Sequence, residues 1–342
     1  MSTPQPVRIV GGGVAGLSLG IALRRAEIPT EIFEAGDYPR HRVCGEFIAG
    51  LSDDTIKLLG IRPIFAGAVV HRSVTWFVQE RPVGRQKLPS PALGLSRFAL
   101  DDRLATLFVA EGGILSVKTR FKSTTPEEGV VWACGHRNGE GSPWLGLKLH
   151  ARDLTVEGGL ELHLGEGAYV GLSSVEDGWV NVCGLFRRRR CLSFARGDAL
   201  SAYLVACGLD ALAERLESAK IRPESRCAVA GLSFDQRVKE DVHLRLGDAC
   251  AMTPPFTGNG MAMAFTSASL AVAPLVRWAR GEQTWATTKH KIHELLRDKF
   301  RVRLVSAATL HPFLTNRTLQ SPLKRIKHAE LLPLTTLYRL TH

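Results

Sequence analysis

A glycine-rich turn near the start of the chain constrains the fold more than any other feature of the sequence. Residues 7–10 form a short apolar segment of strand type, and they run directly into the turn GGGVAG at residues 11–16. Residues 17–25 are typical of a helix, and residues 31–33 of a second strand that ends at Glu34. This G-x-G-x-x-G turn, in its strand–helix–strand context, predicts a βαβ unit that binds a dinucleotide.

The small residues of the turn each have a physical role in such a unit. Gly11 permits the tight turn, Gly13 lets the backbone approach a pyrophosphate, and Gly16 lets the helix pack closely against the strand. The N–H groups of the first helical turn, which contains Val14 and Ala15, point toward the phosphates at the positive end of the helix dipole. The turn is therefore predicted to hold the phosphates of the dinucleotide.

The acidic residue at the end of the second strand is predicted to contact the ribose of the dinucleotide. Glu34 can accept hydrogen bonds from a ribose, and its charge repels a 2′-phosphate. Ala35, which follows it, is placed at the same predicted site. The unit alone does not distinguish a nicotinamide dinucleotide from a flavin dinucleotide.

A second pattern of nucleotide-binding type occurs late in the chain. Residues 247–249 read GDA after a short strand, residues 254–260 read PPFTGNG, and an apolar helix is predicted over 261–280. The pairing of the early and late patterns resembles the superfamily of p-hydroxybenzoate hydroxylases and geranylgeranyl reductases, to which the flavin-dependent halogenases are also related. By that resemblance, Asp248 binds the ribityl chain of a non-covalently bound FAD, and Pro255 borders the isoalloxazine ring. The cofactor-binding residues implied in this second pattern are Gly247, Asp248, Pro255, Gly258, Asn259, Gly260 and Met261.

The segment RVCGEF at residues 42–47 extends the resemblance. It is similar to the Cys-Gly-Glu segment of the geranylgeranyl reductases, which lies along the flavin and the substrate cavity. The resemblance implies that Arg42 and Cys44 contact the cofactor. No catalytic side chain is assigned, and the candidates for the pocket of a flavin-centred reaction are Cys44, Glu46 and Pro255.

Two further positions bear on the cofactor site. Arg97 belongs to a helix start that is common to the hydroxylase and reductase branches, and the resemblance places it near the cofactor. Cys134 stands where the superfamily usually has the aspartate of an Ala-Asp-Gly motif, so the role of that aspartate is in doubt here.

The superfamily interleaves two domains, and the sequence can be divided in the same way. We predict an α/β (α+β) fold in which a Rossmann-like FAD-binding domain is interleaved with an antiparallel-sheet substrate domain. The C-terminal segment is predicted to be helical, with a break near His311 and Pro312. The predicted boundaries are 1–68, 95–140 and 236–285 for the FAD-binding domain, 69–94 and 141–235 for the substrate domain, and 286–342 for the basic helical segment.

The resemblance implies a flavin enzyme but leaves its reaction open. We predict a monooxygenase or hydroxylase that acts on a hydrophobic small molecule and is reduced by transiently bound NADH or NADPH. A geranylgeranyl-reductase-like ene-reductase is the alternative, because the Cys-Gly-Glu segment favours that branch whereas the Pro-Pro turn favours the hydroxylases. A flavin-binding interaction protein without catalysis is the second alternative.

The positive charge of the chain is concentrated at its C-terminal end. The formal net charge is +11, and residues 287–342 contain eleven lysines and arginines but only three acidic residues. This segment is predicted to contact an anionic membrane peripherally or an acidic carrier protein that presents the substrate, with packing on the FAD-binding domain as the alternative. No nucleic-acid partner is predicted.

Cysteine usage and hydropathy indicate the compartment. Seven cysteines are spread singly without a Cys-x-x-Cys pair, which argues against a disulfide framework, and no metal site is predicted. The first residues lack the pattern of a signal peptide, and no apolar run reaches the roughly 18 residues of a membrane-spanning helix. We therefore expect a cytoplasmic protein, with peripheral membrane association through the basic segment.

Overall fold

Two sheets, each assembled from distant parts of the chain, organise the molecule. The computed structural model describes residues 3–123, 125–135, 139, 141–189, 191–195, 197–239 and 241–320. The strands are β1 Val7–Val10, β2 Thr30–Phe33, β3 Phe47–Ile48, β4 Val69–Val78, β5 Arg81–Gly94, β6 Ile114–Ser116, β7 Val130–Trp132, β8 Trp144–Arg152, β9 Leu160–Gly165, β10 Ala168–Ser174, β11 Val180–Arg187, β12 Lys220–Leu232 and β13 Leu244–Arg245. The helices are α1 Val14–Arg25, α2 Asp53–Leu59, α3 Arg97–Ala110, α4 Ala199–Ala206, α5 Asp210–Glu217, α6 Gly260–Ala279, α7 Trp285–Thr315 and α8 Arg317–Gln320.

The first sheet is parallel and has the strand order β13-β7-β1-β2-β6. Helix α1 connects the paired strands β1 and β2, and its residues from Val14 to Leu23 are all buried. Helices α1, α3, α6 and α7 contribute to one hydrophobic core with this sheet. The predicted βαβ unit is therefore present, because a short apolar strand and a nearly all-apolar helix can bury themselves only against each other and their neighbours.

The second sheet has eight strands in the order β12-β8-β11-β10-β9-β4-β5-β3. Its pairs are antiparallel except for β4 and β9, which run parallel. The predicted antiparallel sheet is therefore present, and β4 with β9 is the one parallel pair among its described strands. The hairpin β4–β5 enters from a distant part of the sequence, so no tight turn dictates its direction against β9.

The two faces of the second sheet have different surroundings. Alternate apolar residues of β8, β10 and β11 pack against α4 and α5 in a second hydrophobic core. The residues between them, such as Lys148 and Cys183, face the first sheet and its helices, since successive side chains of a strand point to opposite faces. The functional space lies on this inner face.

The structure differs from the sequence prediction in the C-terminal helix. Helix α7 runs unbroken from Trp285 to Thr315, so the predicted break near His311 and Pro312 was wrong. Pro312 lies in the last turn of α7; it cannot donate a hydrogen bond to the carbonyl group four residues before it, but the helix continues to Thr315. The predicted tail beyond Gln320, including Lys324 and Arg325, lies outside the described residues.

One helix among the described residues, α6, is long and apolar enough to cross a membrane by length and composition alone. Most of its residues are buried, and it packs against α1 and α7. It is a core helix that packs beside the first sheet.

Candidate functional site

The glycine turn between β1 and α1 is closed on one side and open on the other. A Cβ added to Gly16 would lie 2.0 Å from the carbonyl oxygen of Gly11, and one added to Gly11 would lie 2.5 Å from that of Ala133. Gly11 also has a φ of +110°, which side chains rarely adopt. A Cβ added to Gly13 would meet no atom within 4 Å. Gly13 therefore faces open space at the N-terminus of α1, where backbone N–H groups favour an anion.

This open space is a polar cleft of about 930 Å³ that runs between the two sheets. It is lined by both sequence patterns and by the segment that precedes β3. Two predicted cofactor residues lie outside the lining. Gly16 packs on the turn, and the buried Asn259 occupies the N-cap position of α6. The predicted residues that do line the cleft are Gly11, Gly13, Val14, Ala15, Glu34, Ala35, Arg42, Cys44, Arg97, Gly247, Asp248, Pro255, Gly258, Gly260 and Met261.

Glu34 is held at the cleft by contacts within the protein. Its carboxylate accepts hydrogen bonds from the N–H groups of Gly12 at 2.8 Å and Gly36 at 2.7 Å, and it pairs with Arg40 at 2.6 Å. Burial alone would raise the pKa of Glu34, but the Gly36 N–H and the Arg40 and Arg42 guanidinium groups hold it below its ordinary value. The group is therefore an ionised acceptor with part of its hydrogen-bonding capacity already in use.

The carboxylate of Asp248 differs from that of Glu34 in its hydrogen bonding. It makes no hydrogen bond through its side chain to any residue that the structure describes, although the Arg97 guanidinium lies near enough to favour its charge. Burial raises the pKa of Asp248 to about 6, with Asp235 adding to the rise. Arg97 itself is engaged by Asp101 through two bonds of 2.8 and 2.7 Å. Asp248 is thus an acceptor without a hydrogen-bond partner among the described residues, at the position where the resemblance predicts a ribityl contact.

Glu46 was predicted as a pocket residue, but it lies behind the wall of the cleft. It lines neither the cleft nor the apolar cavity that adjoins the cleft. Its fully buried carboxylate accepts hydrogen bonds from Lys148 Nζ at 2.9 Å, His150 Nε2 at 2.5 Å and the backbone N–H of Arg97 at 2.9 Å. These partners belong to the second sheet and to the start of α3. Glu46 therefore ties strand β8 of the second sheet to the start of α3, immediately after the segment Val43–Gly45.

The surroundings of Glu46 form a buried cluster of titratable groups. Burial raises the pKa of Glu46, but His150 and Lys148 outweigh this and hold it below its ordinary value. His41 lies 3.2 Å from Lys148 Nζ, and burial together with Lys148 lowers its pKa to about 4, so its ring is neutral. His41, Glu46 and His150 are close enough to bind a metal ion, but the Lys148 ammonium group already contacts two of them and supplies a positive charge there.

A second space, an apolar cavity of about 470 Å³, adjoins the cleft. Its walls come from the inner face of the second sheet, from the loop around Pro255 and from the end of α7. Among the described residues, Glu161 is the charged residue in its lining, and this carboxylate is paired with His163 at 2.7 Å and Arg215 at 3.0 Å. The residues that line both the cleft and the cavity are Val43, Cys44, Gly45, Phe47, Gly258, Val229, Leu232, Met252 and Pro255.

The segment Val43–Gly45 and Pro255 therefore form a wall between the two spaces, which we call the shared wall. Cys44 lies in it, and burial raises the pKa of its thiol, as it does for Cys183 in the cavity. Such thiols are neutral and poor nucleophiles, so Cys44 contributes shape rather than a reactive thiolate.

Several residues of the site were missed by the sequence analysis. Arg40 and His41 line the cleft directly before Arg42, and the basic run RHR at residues 40–42 was an available signal. Lys148 and His150 are polar residues at alternate positions of the strand β8, whose other residues up to Ala151 are apolar. Inward-facing charges in such a strand indicate a buried polar partner.

Comparison with known proteins identifies the architecture. No family model and no curated protein matches the sequence. Among solved structures, HpxO of Klebsiella pneumoniae complexed with FAD and uric acid matches with a TM-score of 0.76 at 15% identity, over 98% of this chain and 96% of that one. The chain has the fold of FAD-dependent monooxygenases.

Two further matches cover both branches of the predicted superfamily. PqsL of Pseudomonas aeruginosa, described as a probable FAD-dependent monooxygenase, matches in its complex with 2-aminobenzoylacetate with a TM-score of 0.73 at 15% identity, over 94% of this chain and 100% of that one. A geranylgeranyl bacteriochlorophyll reductase-like protein of Thermoplasma acidophilum gives a TM-score of 0.73 at 15% identity, over 98% and 96% of the two chains. The predicted fold class is confirmed.

Proposed function

We propose that the protein is a FAD-dependent oxidoreductase, most specifically a monooxygenase or hydroxylase that acts on a hydrophobic small molecule with NADH or NADPH as its reductant. The observation that carries this proposal is the junction of the two spaces at the shared wall. A cleft built from both nucleotide-type patterns meets an apolar cavity across Cys44 and Pro255. We place the protein in the cytoplasm, where its substrate reaches it from a membrane or a carrier protein.

The residues of the cleft fit an FAD. The α1 N-terminus and the open face of Gly13 suit a pyrophosphate, Glu34 suits a ribose, and the carboxylate of Asp248 has no hydrogen-bond partner among the described residues. The likeness in fold to HpxO, whose structure contains FAD, supports this choice of cofactor. When bound, FAD would supply the two-electron redox chemistry that the side chains of the cavity lack.

The side chains of the apolar cavity have a binding role rather than an acid–base role. Glu161 is paired with His163 and Arg215, and those partners lower its pKa to about 2 despite the opposing effect of burial. The thiols of Cys44 and Cys183 are neutral. The chain therefore orients an apolar molecule beside the cofactor position and excludes water from it.

The ene-reductase stays as a second candidate because one observation favours it. The apolar lining continues from the shared wall, which contains the Cys-Gly pair, to the end of α7, and such a lining also suits a prenyl chain. The choice between the two reactions depends on what the reduced flavin does with oxygen.

The proposal is tested on the purified full-length protein by its absorption spectrum. We expect a yellow protein whose flavin is bleached by NADH or NADPH without oxygen, and which consumes oxygen to hydroxylate an added apolar aryl or alkyl compound. Saturation of a prenyl double bond without oxygen would instead establish the ene-reductase. If neither a nicotinamide nor a substrate changes the redox state of the bound flavin, the protein is a flavin-binding protein without catalysis. A colourless protein that takes up no added FAD would contradict the whole proposal.

Protonation of Asp248 is expected to weaken FAD binding. A carboxylate that accepts a hydrogen bond from a ribityl hydroxyl binds best when ionised, and the pKa of Asp248 is about 6. The affinity for FAD should therefore be constant above this pH and fall as the pH drops through it, by at most about ten-fold per pH unit. Fluorescence titrations of FAD across this range check the prediction. In Asp248→Asn the dependence should disappear, and an unchanged profile would show that another group titrates.

A further inference from the structure

Helix α7 carries a stripe of exposed apolar side chains. Val302, Val305 and Phe313 are 54%, 51% and 47% exposed. At 3.6 residues per turn these three positions lie on one face of the helix. The opposite face is buried against the core through residues that include Phe300 and Leu304. We call the exposed set of Val302, Val305 and Phe313 the α7 stripe.

The α7 stripe ends at the opening of the apolar cavity. Phe313 is half exposed and also lines the cavity, together with Leu310 and Leu314 of the same helix. Because Phe313 lines the apolar cavity and is also exposed to solvent, it lies at the mouth of that cavity. The stripe therefore leads along the surface toward the cavity entrance, with the exposed Thr309 between Val305 and Phe313 on the same face.

Cationic side chains flank the α7 stripe. Lys299 and Arg301 are exposed and lie on its two sides, about one quarter of a turn away in each direction. Neither makes an ion pair with any residue that the structure describes. The acid in the same turn, Asp298, is paired with Arg297 at 3.7 Å. An apolar stripe with one cation on each side matches an anionic bilayer, in which acyl chains lie beneath charged headgroups.

We propose that the α7 stripe docks on an anionic lipid surface, and that an apolar substrate enters the cavity from the bilayer beside Phe313. The entry route rests on the proposed function, whereas the docking does not. An apolar substrate dissolved in lipid would then pass to the shared wall without crossing water. The excess of basic residues over 287–342 adds to the attraction, although those beyond Gln320 lie outside the described part of the chain.

Sedimentation of the full-length protein with vesicles tests the docking. We expect binding to phosphatidylcholine vesicles that contain roughly one quarter phosphatidylserine, weak binding to phosphatidylcholine alone, and release by salt. Val305→Glu should reduce binding at least ten-fold, and Lys299→Gln or Arg301→Gln about five-fold each. Val109→Glu on α3 is the matched control, because Val109 is 52% exposed, and its binding should be unchanged.

The outcomes separate the docking from the proposed function. Each variant is assayed for bound FAD and for turnover of a water-soluble apolar substrate, neither of which Val305→Glu should change. Loss of vesicle binding in Val109→Glu and Val305→Glu alike, or equal binding to both kinds of vesicle, would overturn the docking. A dimer in light scattering that Val305→Glu dissociates would assign the stripe to a second copy and would also overturn it. Vesicle binding that depends on Val305 in a protein without FAD would uphold the docking and reject the function.

Discussion

Gly13→Val is expected to remove FAD from a protein that still folds. The added side chain meets no protein atom within 4 Å of its Cβ, and Gly13 has a φ of −91° that any residue adopts. The loss of an N-cap glycine costs the helix about 1 kcal/mol. The side chain would occupy the space in which a pyrophosphate approaches the α1 N-terminus, so FAD affinity should fall by more than about ten-fold, or 1.4 kcal/mol.

The ratio of flavin to protein absorbance in the purified variant measures this loss, and thermal unfolding followed by circular dichroism checks the fold. Gly16→Ala is the contrasting variant, because its Cβ would lie 2.0 Å from the Gly11 carbonyl oxygen and must disturb the turn itself. It should lose stability and cofactor together. A folded Gly13→Val protein that keeps its full complement of FAD would show that the pyrophosphate lies elsewhere.

Glu46→Gln is expected to cause a large loss of stability. The substitution leaves the fully buried Lys148 ammonium group without its carboxylate partner, which costs about 3–5 kcal/mol for buried pairs. In a chain of 342 residues that loss lowers the melting temperature by roughly 4–7 °C. Replacing Lys148 as well, in Glu46→Gln with Lys148→Met, should recover much of it, because no uncompensated charge then remains in the interior.

The pH dependence and a surface control sharpen this test. The pKa of Glu46 lies below its ordinary value, so its stabilisation is complete above the ordinary glutamate range and is lost as the pH falls through the lowered pKa. The wild type should therefore lose stability in acid more steeply than Glu46→Gln. Asp53→Asn removes the exposed pair with Arg62 and should cost less than about 1 kcal/mol. Equal losses in the two variants would contradict the anchoring role of Glu46.

The parts of the site that could be predicted from the sequence are those encoded by neighbouring residues. The turn at residues 11–16 joins the end of β1 to the start of α1, whereas GDA follows the strand β13 and PPFTGNG leads into the start of α6. Their local geometry follows from glycine and proline stereochemistry, and it placed most of the cleft residues.

The parts that could not be predicted depend on contacts between distant residues. Glu46 is separated from Lys148 by 102 positions and from His150 by 104, so nothing local in RVCGEF reveals that its carboxylate is an anchor. The parallel pairing of β4 with β9 likewise joins segments that no turn connects. The proline-containing strand β5 was missed as well, because proline argues against a strand until its partners and register shifts are known.

The shared wall limits how the protein can diversify. Val43, Cys44 and Gly45 face the proposed cofactor position on one side and the proposed substrate position on the other, so a change there alters both at once. Leu88, Leu160 and Leu310 line only the far part of the cavity. New substrate preferences can therefore arise through these remote positions at little cost to the redox centre, and directed evolution of the protein should begin there.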